Sequence, residues 1–290
     1  MSRKASTFEQ IKTLRERYYT ALPGKESLVK TLNQAELSEY VYNSNAIENS
    51  TLSLEETEKI LLEIELERFV TAREIHEAKN LARVTSYIET KAIERSLSED
   101  LILLLHKMLL GNIDETIAGR FRLDNEWVRV GSYVAPAPKE VSGLITRLLT
   151  TSAADDMSNI ITRIARFHLE FEHIHPFCDG NGRIGRVLNN FVLLREGYVP
   201  INIAFADRAK YYEAFKQYDT KQELRVMEEI VGRALTESYN KRLAYLENKQ
   251  IISLKEFALK EKMSYSNALN KADRQTIEAF QEKGNWKIGI

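Results

Sequence analysis

One stretch near the middle of the chain limits the fold most strongly, because it separates two helix-like segments with residues that are not expected to continue either helix. It spans residues 173–190 and reads H-I-H-P-F-C-D-G-N-G-R-I-G-R-V-L-N-N. Apolar side chains recur at helical spacing over residues 160–174 and again over residues 184–194, and Gly197 ends the second segment. The stretch therefore predicts a helix, a short loop and a second helix.

The predicted loop ends where the second helix begins, and a helix N-terminus favours an anion through its free N–H groups and its dipole. Gly180 and Gly182 let the backbone approach a phosphate closely and adopt a positive φ. Arg183 and Arg186 are three residues apart, so both side chains project from one side of the helix. This pattern predicts a polyphosphate site.

Two further residues add chemistry to the same loop. Asp179 carries a carboxylate of the kind that holds Mg²⁺ at phosphate sites, and His175 is a titratable base at the entrance of the loop. Each residue alone has a plainer interpretation: the histidine as structural, the aspartate as a helix cap, the arginines as a solvated face. The functional interpretation is favoured because all of them fall within twelve positions, around one helix start.

Residues 175–186, H-P-F-C-D-G-N-G-R-I-G-R, resemble the Fic-domain signature H-P-F-x-(D/E)-G-N-G-R-x-x-R at every fixed position. The resemblance implies a mainly helical Fic fold and transfer of AMP from ATP to a protein hydroxyl. It makes His175 the general base and Asp179 the Mg²⁺ ligand. It assigns the nucleotide phosphates to Gly180, Asn181, Gly182, Arg183 and Arg186. The intact G-N-G argues against the kinase-like variant of the family.

An upstream segment resembles the inhibitory helix that some Fic proteins carry N-terminal to the core. Ser44-x-x-x-Glu48-Asn49 matches the (S/T)-x-x-x-E-(G/N) motif and lies in a predicted helix of about residues 33–50. The plainer alternative is an ordinary surface helix. By the resemblance, Ser44, Glu48 and Asn49 form the inhibitory element, and Glu48 pairs with Arg186, which should otherwise bind the γ-phosphate.

Residues 119–138 change character and predict a β-hairpin. Its strands are expected at Phe121-Arg122 and Trp127–Gly131, around a turn at Leu123–Glu126, with an extended continuation. The hairpin resembles the Fic flap, on whose edge (about Phe121–Gly131) a target protein docks. A purely structural hairpin is the alternative. The residues expected nearest the nucleotide are Val128, Arg129, Val130 and Gly131.

Tyr211 and Tyr212 resemble the tyrosine pair that borders the adenine pocket in the family. An aromatic pair on a helix is more often part of a core, so that interpretation stays open. Asp219 stands where some relatives have an asparagine, and this difference leaves the contact with adenine undetermined.

The predicted fold class is mainly α: a helical Fic bundle with a β-hairpin flap and a small C-terminal helix-turn-helix or winged-helix-like module. The predicted domains are residues 1–95, an N-terminal helical region, residues 96–248, the catalytic core, and residues 249–290, the small module. His106 lies in an apolar helical run and is predicted to be a core histidine. Residues 272–283 are not basic, so they do not predict a DNA-recognition helix.

Composition bounds the remaining classes. The formal net charge is −1, which gives no electrostatic case for nucleic acid or membrane as the main partner. Cys178 is the only cysteine, so an internal disulfide and a cysteine zinc site are excluded. The first residues lack the apolar run of a signal peptide, and no apolar stretch of about 18 residues occurs. We expect a soluble, cytoplasmic protein.

The leading hypothesis is an autoinhibited protein adenylyltransferase that uses Mg²⁺ and ATP and modifies a Ser, Thr or Tyr hydroxyl. A second is a de-AMPylating phosphodiesterase in which Glu48 positions a water molecule. A third is a DNA-binding regulator whose core senses nucleotide. The target protein, self-modification and homo-oligomer formation stay open, because no residue in the sequence decides them.

Overall fold

The structure, a computed structural model, describes residues 7–131, 133–155 and 158–290. Residues 1–6, within the stretch that lacks a signal-peptide pattern, lie outside these ranges. So does Asp156, where the sequence predicts the start of the helix that leads into the signature. The helices are α1 (Thr7–Ala21), α2 (Glu26–Ile47), α3 (Leu54–Leu61), α4 (Ala72–Lys91), α5 (Glu99–Leu110), α6 (Val141–Ala154), α7 (Ile160–Ile174), α8 (Asn181–Arg195), α9 (Arg208–Lys221), α10 (Arg225–Leu246), α11 (Leu254–Lys260) and α12 (Tyr265–Asp273). The strands are β1 (Arg129–Val130), β2 (Tyr133–Val134), β3 (Ile251–Ser253), β4 (Ala279–Glu282) and β5 (Asn285–Gly289). The predicted mainly-α class is confirmed.

Local sequence signals explain where several helices start. The sequence Ser53-Leu54-Glu55-Glu56 predicts a capping box, and the structure contains it: Glu56 N–H donates to Ser53 Oγ (3.1 Å) and Ser53 N–H donates to Glu56 Oε2 (2.7 Å). A matching box opens α4, between Thr71 and Glu74. From the capping box at Ser53 the sequence predicts a helix to about residue 67. Helix α3 ends earlier, at Leu61, and the backbone turns to a positive φ at Glu63.

The chain forms two compact units, and each is described separately. The unit that contains the signature comprises Leu37–Tyr198 and Ile203–Glu229. Its apolar core is built from α4, α5, α7 and α8 with the last turns of α2, and α8 lies at its centre. The side chains of α8 that are fully buried include Ile184, Val187, Leu188 and Phe191. Because α8 is buried on several sides, its first turn, which follows the glycine-rich loop, is held in place.

The other unit comprises Met1–Glu36, Val199–Asn202 and Ile230–Ile290. Within it β3, β5 and β4 form an antiparallel sheet in that order, and α11 and α12 pack together beside it. Residues 249–290, the predicted small module, contain β3, α11, α12, β4 and β5, and the compact unit that includes them also contains residues of the N-terminal region. The segment 272–283 is not a recognition helix: α12 ends at Asp273 and residues 279–282 are a strand. The predicted domain boundaries at residues 95 and 248 stay predictions.

The predicted hairpin is present, but its turn lies elsewhere. Strand β1 pairs with β2, so the chain reverses after Gly131, which has φ +60°, and not at Leu123–Glu126. The expected strand at Phe121-Arg122 is wrong, because Arg122 N–H donates to the Pro176 carbonyl (3.0 Å) of the signature loop. Residues 123–126 still form a turn, closed by the Glu126 carboxylate on Leu123 N–H (2.7 Å).

No helix of the described residues is both long enough and apolar enough to cross a membrane.

Candidate active site

The predicted helix–loop–helix is present around the signature. Helix α7 ends at Ile174, and His175 caps it in the left-handed region (φ 49°, ψ 61°). The chain re-enters a helix after Gly180, whose φ is +82°, a value that glycine adopts without the steric cost that a Cβ imposes. A Cβ on Gly180 would also lie 3.1 Å from methyl carbons of Leu109 and Leu110. Both the backbone angle and the close packing require glycine here.

The loop is held by side chains that the signature does not explain by itself. Asn181 is buried, and its amide spans the loop: Oδ1 accepts from Phe177 N–H (2.9 Å) and Nδ2 donates to the Phe177 carbonyl (2.8 Å). The predicted phosphate contact of Asn181 would therefore come from its backbone N–H. Arg122, also buried, donates to the carbonyls of His175 (2.8 Å) and Pro136 (2.9 Å). Arg122 therefore connects the segments before and after the flap to the signature loop.

His106, expected in the core, also supports the loop. Its ring stacks on Phe177 with 3.6 Å between centroids. Gly119 N–H donates to Nδ1 (3.0 Å), so Nδ1 is the acceptor nitrogen of the neutral ring. Nε2 therefore carries the hydrogen and donates it to the Asp179 carbonyl (3.0 Å). Burial lowers the pKa of His106 to about 4 and keeps the ring neutral, as this pair of hydrogen bonds requires.

His175 is in the form that a general base needs. Burial lowers its pKa to about 4, so the imidazole is neutral at pH 7. Nδ1 lies 3.3 Å from the Glu172 carbonyl, and because a carbonyl can only accept, Nδ1 carries the hydrogen. Nε2 is then the nitrogen with a free lone pair, and His175 lines a cavity next to the loop.

That cavity has a volume of about 670 Å³ and brings together most of the predicted site. The loop contributes Asp179 and the segment 180–182, and the helix α9 contributes Tyr211, Tyr212 and Asp219. From the flap, Val130 and Gly131 line it. Of the other two predicted flap residues, Arg129 donates to the Gly131 carbonyl (2.9 Å) and the Val128 carbonyl accepts from Ala135 N–H (3.1 Å). These two contacts stabilise the hairpin.

Arg186 is buried beside the loop and contacts the upstream motif. Its guanidinium donates to Ser44 Oγ (2.9 Å), to the Ser44 carbonyl (2.8 Å), and to Glu48 Oε1 (2.9 Å). It also donates to the Tyr211 hydroxyl (3.1 Å), which in turn donates to His168 Nε2 (2.6 Å). Burial lowers the pKa of His168 to about 3, which keeps that ring an acceptor.

Glu48 lies directly over the start of α8. A Cβ placed on Gly182 would collide with the Glu48 carboxylate, with its Cδ only 2.9 Å away. Neighbouring contacts hold this position: Arg208 donates to Asn49 Oδ1 (2.5 Å), and the Tyr212 hydroxyl donates to the Ile47 carbonyl (3.1 Å). Helix α2 is longer than the predicted 33–50 segment at its start and ends just before Glu48.

Asp179 is surrounded by positive charge. Oδ1 accepts from Gly180 N–H (2.6 Å) and Arg183 (3.0 Å), and Oδ2 accepts from Arg73 (2.5 Å). Burial by itself raises the pKa of Asp179, but Arg183 and Arg73 outweigh it and hold the pKa below its ordinary value. The carboxylate is therefore ionised at pH 7.

The donor set fits a phosphate-bound cation. Among the described residues, no group of three or more His, Cys, Asp or Glu side chains is arranged to hold a metal ion. Mg²⁺ at nucleotide sites takes one or two carboxylates and completes its shell with phosphate oxygens and water. Asp179, an ionised carboxylate that lines the cavity beside the glycine-rich loop, suits that role.

Two further groups in the cavity wall were not predicted as site residues. His173 links the flap to α9, since Nε2 lies 2.9 Å from the Tyr133 hydroxyl and Nδ1 lies 2.9 Å from Asp219 Oδ1. Glu172 lies next to His175 with only 11% of its side chain exposed, and 3.9 Å separates Glu172 Oε2 from His175 Nδ1. Burial, reinforced by the charge of Glu48, raises the pKa of Glu172 to about 8. One signal for His173 was present in the sequence: its partner Asp219 stands where some relatives have an asparagine.

The fold and the site define a helical domain in which a glycine-rich loop opens a buried helix beside a neutral histidine. Residues 96–193 match the family model described as Fic/DOC family. We conclude that this part of the chain is a Fic domain, and the suspected family is confirmed.

Curated proteins with a common name are similar to the chain. "Protein adenylyltransferase Fic" of Drosophila willistoni is 30% identical over 234 residues, covering 74% of this chain and 46% of the relative. The protein of the same name from Nematostella vectensis is 30% identical over 216 residues, covering 72% and 49%. The chain thus spans about half the length of the curated relatives it matches.

Solved structures agree with the fold. A Fic domain containing signaling protein from Bacteroides thetaiotaomicron superposes with a TM-score of 0.75 at 26% identity, covering 83% of this chain and 97% of that one. Fic-1 from C. elegans (residues 134–508) gives a TM-score of 0.69 at 26% identity, covering 83% and 72%.

Proposed function

We propose that this protein is an autoinhibited protein adenylyltransferase, which transfers AMP from ATP to a Ser, Thr or Tyr hydroxyl of a target protein. The observation that carries the proposal is the arrangement at the start of α8. A neutral His175 lines the same cavity as the glycine-rich loop, while Glu48 occupies both Arg186 and the space above Gly182. The name of the similar Fic proteins supports the same activity.

In this proposal the loop binds the nucleotide and His175 takes the proton. Gly180 N–H donates to Asp179 in this structure, so the N–H groups of Asn181 and Gly182 at the start of α8 would hold phosphate oxygens, with Arg183 and Arg186 on the same helix. His175 Nε2 would accept the proton of the target hydroxyl as its oxygen attacks the α-phosphorus and pyrophosphate leaves. Tyr211 and Tyr212 would border the base.

Mg²⁺ would be held by Asp179 together with phosphate oxygens, and when bound it would neutralise negative charge on the phosphates. The residues of the chain align the reactants: the left-handed cap at His175 aims the ring into the cavity region, and the Glu172 carbonyl fixes its tautomer.

The target would dock on the flap, now defined as β1, Gly131 and β2. The side chains of Val130 and Val134 are exposed on this segment, and that of Trp127 is exposed just before it; apolar exposure beside a short strand suits pairing with an extended peptide. The Tyr133 hydroxyl, held by His173, and the buried Arg122 keep the flap next to the site.

Autoinhibition would follow from competition for one guanidinium. Arg186 is proposed to bind the γ-phosphate, but in this structure it donates to Glu48. A nucleotide that enters while Glu48 stays in place would lack that contact and meet a carboxylate above Gly182. Its α-phosphate would then be held away from the line of attack.

The test is incorporation of labelled AMP from Mg²⁺-ATP into the protein itself and into added cell extract. It compares wild type, Glu48→Gly and Glu48→Gly/His175→Ala. Strong labelling in the single mutant alone supports the transferase, the inhibitory pair and the base together. Labelling that survives the loss of His175 refutes the mechanism. If all three bind ATP and none labels, the transferase proposal fails.

A second candidate is the reverse reaction, removal of AMP from a modified protein. It is favoured by one observation: Glu48 lines the same cavity as His175, so its carboxylate can accept a hydrogen bond from a water molecule there and activate it. The two candidates predict opposite results for Glu48→Gly. Transfer rises if Glu48 only blocks ATP, whereas release of AMP from a labelled protein disappears if Glu48 activates water.

A further inference from the structure

The proposed cation ligand Asp179 belongs to a closed ring of four alternating charges. Arg73 donates to Asp179 Oδ2 (2.5 Å) and to Glu77 Oε1 (3.1 Å). Arg183 donates to Asp179 Oδ1 (3.0 Å) and lies 3.1 Å from the same Glu77 oxygen. Two carboxylates and two guanidinium groups thus neutralise one another, and the carboxylate that should hold a cation is already paired.

The two arginines differ in how firmly they are held. The Arg183 side chain is only 4% exposed and lies within the signature, whereas the Arg73 side chain is 57% exposed, in the first turn of α4. Exposed ion pairs contribute little net stability and break readily. Arg73 is therefore the member of the ring that can leave, and its departure frees Oδ2 of Asp179.

The surroundings favour a cation at the position that Arg73 would leave. Arg73 and Asp179 line a second cavity of about 290 Å³, which Glu48 also lines. Its other charged side chains are Glu48, Glu74, Glu77 and Arg183. Glu48 already pairs with Arg186, which leaves three carboxylates facing two guanidinium groups, so the wall is negative, and more so once Arg73 has moved.

We propose that Arg73 is an internal competitor of the metal ion: it occupies the Asp179 carboxylate in the nucleotide-free protein and must leave it when Mg²⁺ enters with the nucleotide. This rests on the proposed role of Asp179. Arg73 then determines how strongly Mg²⁺ and nucleotide assist each other. A guanidinium that stays within a few ångströms repels the divalent ion, and removing it removes that repulsion.

The experiment measures binding and not activity. Calorimetry gives the dissociation constant of a non-hydrolysable ATP analogue in EDTA and in saturating Mg²⁺, and the ratio of the two is the metal coupling. All proteins carry Glu48→Gly, so that the nucleotide is not obstructed. The variants added are Arg73→Ala, Arg73→Lys, Asp179→Asn and, as a charge-matched control, Arg68→Ala, whose exposed ion pair is with Glu56.

We expect Arg73→Ala to raise the coupling ratio about five-fold or more, Arg73→Lys to raise it less, and Arg68→Ala to leave it unchanged. Asp179→Asn should bring the ratio close to one. An unchanged or smaller ratio in Arg73→Ala, with Asp179→Asn still abolishing the coupling, overturns the role of Arg73 alone. Coupling that survives Asp179→Asn refutes the proposed metal ligand and with it this inference.

Discussion

Replacing Glu48 by glutamine separates the two ways in which this residue can inhibit. Glutamine keeps the size of the side chain above Gly182 and keeps an oxygen that can accept from Arg186, but it removes the charge. Glycine removes the size and the charge together. If the ion pair is what withholds Arg186 from the nucleotide, Glu48→Gln activates AMP transfer in part and Glu48→Gly activates it further.

The magnitude follows from the contact itself. The Glu48 side chain is 34% exposed and its partner 3%, so the pair is only partly screened by water. A hydrogen bond to a charged group is worth about 1.5–3 kcal/mol, against about 0.5–1.5 kcal/mol for a neutral one. The difference of about 1 kcal/mol predicts a five- to ten-fold rise in labelling rate for glutamine, since about 1.4 kcal/mol corresponds to a factor of ten.

The assay is the initial rate of labelled AMP incorporation at saturating Mg²⁺-ATP, with Glu74→Gln as a control. Glu74 is a neighbouring carboxylate that bonds Thr51 instead of Arg186, so its substitution should leave the rate at the wild-type level. A glutamine variant as inactive as wild type, beside an active glycine variant, would show that bulk above Gly182 inhibits and that the charge argument is wrong.

Three further substitutions test the supports of the site. Arg122→Ala leaves four backbone carbonyls without their donor, and we expect urea unfolding to show a loss of about 3 kcal/mol; a loss of less than about 0.5 kcal/mol would contradict the account. Glu172 has its pKa raised to about 8, so its stabilising contribution is complete below pH 4.5 and is lost as the pH rises through 8. Between pH 6 and 9 wild type should lose about 2 kcal/mol of unfolding free energy that Glu172→Gln does not lose, and parallel pH profiles would refute this. Tyr133→Phe removes the hydroxyl that bonds His173 and holds the flap next to the site, so we expect a higher KM for the target with little change in stability. An unchanged KM would show that this hydrogen bond does not position the flap.

Much of the site could be read from the sequence because its residues are close together along the chain. A positive-φ glycine and a helix start have local physical causes, and the structure has both, at Gly180 and Asn181. The positive φ expected at Gly182 is wrong, because that residue lies within α8. The distant pair of Glu48 and Arg186 was predicted only through the family resemblance. Nothing in the spacing of the two residues, 138 positions apart, indicates the contact.

The hairpin shows where local patterns fail. Residues 121–131 alternate in a way that suits two strands around Leu123–Glu126, and propensity alone cannot choose between that turn and the one after Gly131. The choice is made by Arg122, whose backbone and side chain bond the signature loop and not a neighbouring strand. A tertiary contact thus overrides a plausible local pairing.

By itself, the sequence determined the helix–loop–helix of the signature, because glycine, proline and helical periodicity act over a few residues. Only the tertiary structure decided what surrounds it. Arg73 contacts Asp179, which lies 106 positions away in the sequence. His106 hydrogen-bonds the signature loop from within an apolar helical run. Such contacts depend on how helices pack, which sets distances between residues that the order of amino acids leaves free.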